Sequence, residues 1–404
     1  MNSIYDFISQ SITHRQVSLT AEDMSAHVLS LQNSIKGKSV LIIGGAGSIG
    51  SSFISQLIQF RPSSLTVVDL SENGLAELAR TLRSDYVFSK HVPSEFLLYP
   101  MDFASSVFEK MFRARKGFDI VANFSAHKHV RSEKDIFSIE ALLRNNLLNA
   151  KKLLDLLSEY PPEAYFCVST DKAANPVNIM GASKRIMEDV IFSYSDKFPV
   201  KTARFANVAF SNGSLLDGFL HRINKLQPLS APSDIKRYFV SPEESGQICL
   251  LAAILGQNRE IFFPKLEEAQ MMTFDEIART LLHEKGYTVK ECSSDEEAIR
   301  LSEKLQGGSK EYPVHFSPAD TSGEKSFEEF VIDTEQTDMN RFSSLGVIIN
   351  KVIPDKKKIN ILFSDLEAAF EKSQTTKEEI VTILKEYLPN FEHIETGKSL
   401  DNKM

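Results

Sequence analysis

The sequence predicts an α/β protein: a doubly wound parallel sheet followed by a smaller C-terminal α+β domain. Two observations carry this. Short apolar runs alternate with helical patterns from residue 37 to about residue 265, as in repeated strand–helix–strand units. The rhythm then changes: helical patterns at 273–285 and 295–304 flank a strand-like Thr288–Glu291, and a further strand pattern follows at 312–316, with Gly307, Gly308 and Pro313 as punctuation. The expected units are an N-terminal helical arm (1–36), a sheet domain (37–265, with an excursion near 209–235) and a second unit with a C-terminal helix (266–404).

Composition bounds the function. With 404 residues, 42% of them hydrophobic and 25% charged, the chain can bury a substantial core unaided. The net charge of 46 − 54 = −8 argues against nucleic acid or an anionic membrane surface as partner. A local basic pocket for a small anionic substrate remains compatible with it. Cys167, Cys249 and Cys292 are odd in number and far apart, without C-x-x-C spacing, so neither a disulfide framework nor a metal site is expected. No signal peptide and no stretch of about 20 apolar residues is present. The expectation is a soluble, cytoplasmic protein with no membrane span.

Along the chain, Thr20 is the expected N-cap of a helix over 21–31, and the arm is expected to pack on the core or on a neighbouring subunit. Ser39–Ile43 reads as the first strand. It runs into Gly44-Gly45-Ala46-Gly47-Ser48-Ile49-Gly50 and then a helical pattern carrying Phe53, Ile54, Leu57 and Ile58. Strand, glycine turn and helix in this order are the context of a dinucleotide-binding fingerprint. Gly44 permits the tight turn, Gly47 admits a pyrophosphate to the backbone N–H groups, and Gly50 allows close packing. The next strand, 65–68, ends at Asp69, nineteen residues after Gly50, where a carboxylate accepts from a ribose hydroxyl. That acid favours NAD over NADP, although Arg80 and Arg83 on the following helix soften the preference. Asp102, after a third strand at 96–99, is placed either near the adenine or in a plain loop. A fourth strand at 119–124 leads to Ala126-His127-Lys128-His129-Val130, and a helix carrying Asn145 and Asn146 follows. Those amides suit either a polar anchor near the cofactor or a satisfied core pair.

The fifth strand, Ala164–Val168, delivers Ser169-Thr170-Asp171-Lys172 at its C-terminal edge, where ligands of open parallel sheets bind. Met180 and Lys184 lie one helical turn apart downstream. A sixth strand is expected over 201–208, with helices at 215–226 and 245–255 and a strand at 260–263. Thr375-x-x-Glu378 reads as a capping box for a helix over 377–388. Asp171 beside Lys172 is either an acid–base pair in a cleft or a solvated surface pair.

Taken together, Gly44-x-x-Gly47-x-x-Gly50 and a strand-end Ser-Thr with a helix-borne lysine downstream resemble the extended short-chain dehydrogenases/reductases, a Rossmann-type superfamily. In that superfamily a tyrosine four residues before the lysine handles the substrate hydroxyl proton. Met180 occupies that slot, and a thioether cannot carry a proton. The stretch from Val168 to Lys184 resembles the UDP-N-acetylhexosamine 4,6-dehydratases of bacterial polysaccharide and glycan synthesis, the branch with methionine there. Gly44–Gly50, Ala126–Val130, 204–208, Arg237-Tyr-Phe239 and Ser322-Gly-Glu-Lys325 support the likeness. Val130-Arg131-Ser132-Glu133 departs from the family's usual Val-Pro.

The resemblance implies an internal redox cycle. The sugar C4 hydroxyl is oxidised, the C5 proton is removed, water leaves from C6, and the stored hydride returns to C6. It implies Lys172 as the C5 base, which must be available unprotonated, and Asp171 as the acid for the leaving C6 hydroxyl. Thr170 bonds the C4 oxygen, and Lys184 holds the nicotinamide ribose of NAD or NADP. Lys128 and His129 are implied near the phosphates, with Asn207, Arg237 and Lys325 as further nucleotide-sugar contacts. The Lys325 turn is nearly as well read as plain surface. Methionine at 180 leans, by resemblance, toward retention at C5. A C4 epimerase and a non-catalytic dinucleotide-binding module share the fold and are the alternatives. The apolar helix faces at 138–157 and 181–194 suggest a homo-oligomer.

Overall fold

The computed structural model describes residues 3–395 except Thr321, Ser322, Glu324, Ser326 and Lys351. Its strands are, in chain order, β1 Ser39–Ile43, β2 Ser64–Asp69, β3 Glu95–Pro100, β4 Ile120–Asn123, β5 Ala164–Val168, β6 Val200–Ala203, β7 Asn207–Val208 and β8 Leu229–Pro232. There follow β9 Lys236–Arg237, β10 Phe239–Val240, β11 Glu260–Pro264, β12 Met272–Thr273, β13 Thr288–Glu291, β14 Glu311–Ser317, β15 Thr337–Asp338 and β16 Leu345–Ile349. Seven strands lie side by side in parallel in the order β3-β2-β1-β4-β5-β6-β11. The order reverses beside β1, which makes the sheet doubly wound and opens a crevice at its carboxyl edge. β1, β4 and β5 are almost wholly buried, because helices cover both faces; continuous runs of Val, Ile, Leu and Phe replace an alternating pattern for that reason.

Four expectations are corrected. The strand expected at 201–208 is split. Arg204 N donates to Phe262 O and ends β6, while Asn207 N donates to Tyr238 O, so that β7 pairs with β10 in a separate small sheet. Thr20 is the N-cap residue as expected, but without a side-chain cap: its hydroxyl donates to Gln247 at 2.6 Å, and the helix expected over 21–31 breaks at His27 into Ala21–Ala26 and Val28–Ile35. The last helix, Lys377–Tyr387, is capped by Thr376, which accepts from Glu379 N, whereas Thr375 bonds back to Ala369 O.

The fourth correction concerns the boundary near residue 265. Residues beyond it return to the main sheet, β16 adding antiparallel to β11 and β15 to β16. The helices Lys356–Phe370 and Lys377–Tyr387 bury Leu362, Leu366, Ile380 and Leu384 in the same core as β1 to β6. Each such buried side chain contributes about 1.5–3 kcal/mol. A second core joins Phe7, Ile8 and Ile12 of the arm to Leu216, Phe219, Leu229, Ile277, Leu281, Tyr312 and Val314. Parallel β13-β14-β8 floors this unit, which accounts for the long stretch 284–320. The arm therefore packs on the chain's own cores, tied by the Arg15–Glu244 ion pair at 2.7 Å. The apolar faces at 138–157 and 181–194 are likewise spent inside this chain, with Leu142, Leu143, Leu154, Ile186 and Val190 fully buried.

Candidate active site

The glycine turn after β1 forms one wall of a groove of about 250 Å³. Gly44, Gly47, Ser48, Ile49, Gly50, Asp69 and Asp102 all line it, together with Lys128 and Asn145. Gly44 has φ +72°, and a Cβ there would lie 2.6 Å from Ser125 N; at Gly50 it would lie 2.4 Å from Gly44 O. Both must stay glycine for the helix Ser48–Leu57 to start this close to the sheet. At Gly47 the nearest neighbour of an added Cβ is Gly44 O, at 3.4 Å, so the missing side chain leaves room on the groove side instead. Gly47 is also the N-cap and supplies no side-chain acceptor, so the first N–H groups of the helix stay available for an anion. This cradle fits the pyrophosphate of a dinucleotide. Asp69 braces it, accepting from Ala46 N and Ser71 N at 2.9 Å each.

β5 ends at Val168 and hands the chain to a short turn over Asp171–Ala173. Thr170 Oγ1 donates to Asp171 Oδ1 at 2.8 Å, and the same oxygen accepts from Lys172 N at 2.9 Å and Lys172 Nζ at 3.2 Å. Asp171 is buried and Lys172 half-buried. The expected acid, base and hydroxyl are thus in mutual contact.

Asn178 caps the following helix, Ile179–Phe192, by accepting from Gly181 N. Met180 is buried in its first turn; its N–H donates to Glu133 Oε1 at 3.1 Å, and its carbonyl accepts from Ser183 Oγ at 2.7 Å. Glu133, in the stretch Val130–Glu133 that departs from the family's usual Val-Pro, thus steadies this helix and also contacts His393 at 3.1 Å. Lys184 is buried beneath the loop and donates to Val168 O at 2.6 Å; it does not line the groove. Burial lowers its pKa, opposed by Cys167 and Glu188. Asn146, the buried member of the amide pair, bonds His127 N and O and Ser183, fixing the chain after β4 to the catalytic helix.

A carboxylate absent from the sequence-based expectations completes the centre. Glu328 is buried, with Lys172 Nζ 3.6 Å and Arg237 Nη2 3.8 Å from its Oε1, and Lys325 Nζ 4.0 Å from its Oε2. Burial raises its pKa, the three cations oppose this, and Asp171 adds to the rise. Its segment is fastened to the chain after β5 and to β9: Asn178 Nδ2 donates to Gly323 O at 2.8 Å, Asn175 Nδ2 to Glu329 at 2.9 Å and Arg237 Nη1 to Lys325 O at 3.0 Å. Ser322 lies outside the described residues.

Lys128 lies where the groove meets a larger cavity of about 990 Å³, also lined by His129, Asp217, His221, Arg222 and Phe274. Lys128 donates to Asn212 O at 3.1 Å; crowding by the cleft lowers its pKa, and Asp217 opposes the shift. The cavity is not lined by Asp171, Lys172, Asn207, Arg237 or Lys325. Asn207 instead serves the small β7–β10 sheet through its backbone, and Arg237 and Lys325 face Glu328. Among the described residues no cluster of His, Cys, Asp and Glu is arranged to hold a metal, and no helix is long and apolar enough to cross a membrane.

A doubly wound sheet, a glycine cradle at the crevice and a strand-end Thr-Asp-Lys over a helix-borne lysine define an extended short-chain dehydrogenase/reductase. Residues 40–350 match the family described as polysaccharide biosynthesis protein, and the chain belongs to that family of nucleotide-sugar dehydratases and epimerases. It is 30% identical over 280 residues to the probable polysaccharide biosynthesis protein EpsC of Bacillus subtilis; these are 68% of this chain and 45% of EpsC, so the chain spans less than half of that relative. It is 26% identical over 239 residues to a Campylobacter jejuni UDP-N-acetylglucosamine 4,6-dehydratase (inverting), covering 57% of this chain and 67% of that one. Proteins named UDP-glucose 4-epimerase match at a similar level. Among solved structures, Streptomyces venezuelae DesIV, a dTDP-glucose 4,6-dehydratase with NAD and TYD bound, superposes with TM-score 0.54 at 18% identity, covering 72% of this chain and 87% of that one.

Proposed function

We propose that this chain is a nucleotide-sugar 4,6-dehydratase, converting UDP-N-acetylglucosamine or a close NDP-N-acetylhexosamine to its 4-keto-6-deoxy sugar for surface polysaccharide or glycan synthesis. The observation that carries the reading is the contact of Thr170, Asp171 and Lys172 at the end of β5, with buried Met180 in the slot of a proton-carrying tyrosine. A simple C4 oxidation or epimerisation needs a proton carrier at C4 and leaves an adjacent acid and base unused. Elimination across C5 and C6 needs both.

A dinucleotide in the glycine cradle supplies hydride storage between C4 and C6. The protein's residues do the rest. Thr170 bonds the C4 oxygen, Lys172 takes the proton from C5, and Asp171 gives a proton to the C6 hydroxyl as its C–O bond breaks. Water leaves, and the C5–H electron pair becomes the new double bond. Asp171 or a water collects the C4 proton. Lys184, beneath the loop, supports the cofactor site from below through its bond to Val168 O. Lys128, His129, Arg237 and Lys325 contact the nucleotide sugar, the last two by turning from Glu328, and Asn207 supports this side through the small β7–β10 sheet. NAD is favoured over NADP, because Asp69 lines the groove at the end of β2 while Arg80 is paired with Glu77 and Arg83 lies over Phe96.

The test is incubation of the purified protein with UDP-N-acetylglucosamine, followed by mass spectrometry and proton NMR. The reading expects a 4-keto-6-deoxy product lighter by one water, with no net change in cofactor absorbance. A C4 epimer alone, or cofactor binding with no turnover on a panel of UDP- and GDP-sugars, would sink it.

A further inference from the structure

We infer that Glu328 is a positioning residue for Lys172, a second carboxylate beside its ammonium that links it to the cations Arg237 and Lys325. This rests on the dehydratase reading for its meaning in turnover, but not for its geometry.

Three features set Glu328 apart from an ordinary structural carboxylate. It is buried at 5% exposure, where an acidic side chain is rare without partners. Its cations come from three elements: Lys172 from the turn after β5, Arg237 from β9 and Lys325 from its own segment. Asp171 is a further charged group near it. Among the described residues its Oε2 makes no hydrogen bond, although Lys325 lies within ion-pair range.

The cluster couples base and substrate side. Lys172 has two carboxylates in range, 3.2 Å away at Asp171 and 3.6 Å away at Glu328, which together restrict its long side chain. Arg237 holds the backbone of the Glu328 segment through Lys325 O at 3.0 Å, so the carboxylate cannot drift without breaking that bond. When an anionic substrate draws the Lys325 ammonium away, Glu328 keeps Lys172, and the Arg237 bond to Lys325 O still holds its segment. Losing Glu328 therefore disturbs the base more than the affinity for substrate.

The experiment compares wild type, Glu328→Gln and Glu328→Asp, each checked for fold by circular dichroism. One readout is kcat and KM with UDP-N-acetylglucosamine. The other is the rate at which a small neutral acylating reagent labels Lys172 at fixed pH, read by peptide mass spectrometry. For E328Q, kcat falls at least tenfold with KM changed less than threefold, and Lys172 labels roughly fivefold faster, the size of a screened unit charge removed at this distance. E328D gives intermediate values for both. Wild-type kcat or wild-type labelling in folded E328Q overturns the inference; if E328Q does not fold, E328D with wild-type values does so. The labelling readout needs no turnover. An altered labelling rate in a protein that makes no 4-keto product faults the dehydratase reading and leaves the placement of Glu328 standing.

Discussion

Replacing Arg204 by Met should strip the fold of its most heavily bonded buried charge. Arg204 is completely buried, and its five donor bonds are all accounted for. Nε and Nη2 donate to Glu188 at 2.9 and 2.7 Å, Nη1 and Nη2 to Glu335 at 2.8 and 2.7 Å, and Nη1 also to Phe330 O at 3.0 Å. Glu188 is itself fully buried and accepts from Ser169 at 2.7 Å, immediately before Thr170. Arg204→Met leaves Glu188 with its Ser169 bond and with Arg185 3.9 Å away, so the cost approaches that of an uncompensated buried charge, about 3–5 kcal/mol. The double variant Arg204→Met with Glu188→Leu removes the fully buried pair, leaving Glu335 at the partly exposed edge, and should recover part of that loss. Urea unfolding followed by far-ultraviolet circular dichroism suits the measurement, since the chain has no tryptophan. Burial pushes the Glu188 pKa up, but Arg204 outweighs it and the net shift is downward. Its stabilising contribution is therefore full above the ordinary glutamate pKa and fades as pH falls through the depressed folded value. The gap between wild type and R204M should be widest near neutral pH and narrow in acid. A loss below about 1 kcal/mol, or a gap that widens in acid, would refute the reasoning.

Two further outcomes follow from the geometry. Gly50→Ala forces a methyl to 2.4 Å from Gly44 O, so NAD affinity by isothermal titration should fall at least tenfold; unchanged affinity would contradict the cradle. Met180→Leu keeps volume and apolarity in a buried site, so kcat should stay within about threefold and stability within about 1.5 kcal/mol, whereas a large loss of kcat in the folded variant would show the thioether itself to be needed.

The sheet was readable because buried parallel strands are written as local apolar runs; β1, β5 and β13 fall where the pattern puts them. The groove was equally legible, since its glycines and Asp69 answer to steric and charge demands within one strand–helix–strand unit. What escaped was non-local. Glu328 reads as one of two glutamates in a polar segment, and nothing near it in sequence reveals that Lys172 and Arg237 converge on it. Arg204 looks like one more strand residue until Glu188 and Glu335 close around it and end β6. The return of β16 to β11 was hidden for the same reason, because an antiparallel edge strand carries no signature of which sheet it joins.

The central claim, that Lys172 and Asp171 drive elimination across C5 and C6, is tested most directly by turnover of UDP-N-acetylglucosamine in deuterium oxide, with Lys172→Met as control. The wild-type product should be a 4-keto-6-deoxy sugar carrying deuterium at C5, and the folded Lys172→Met variant should give neither product nor exchange at C5. A wild-type product that is only the C4 epimer, with protium retained at C5, would contradict it.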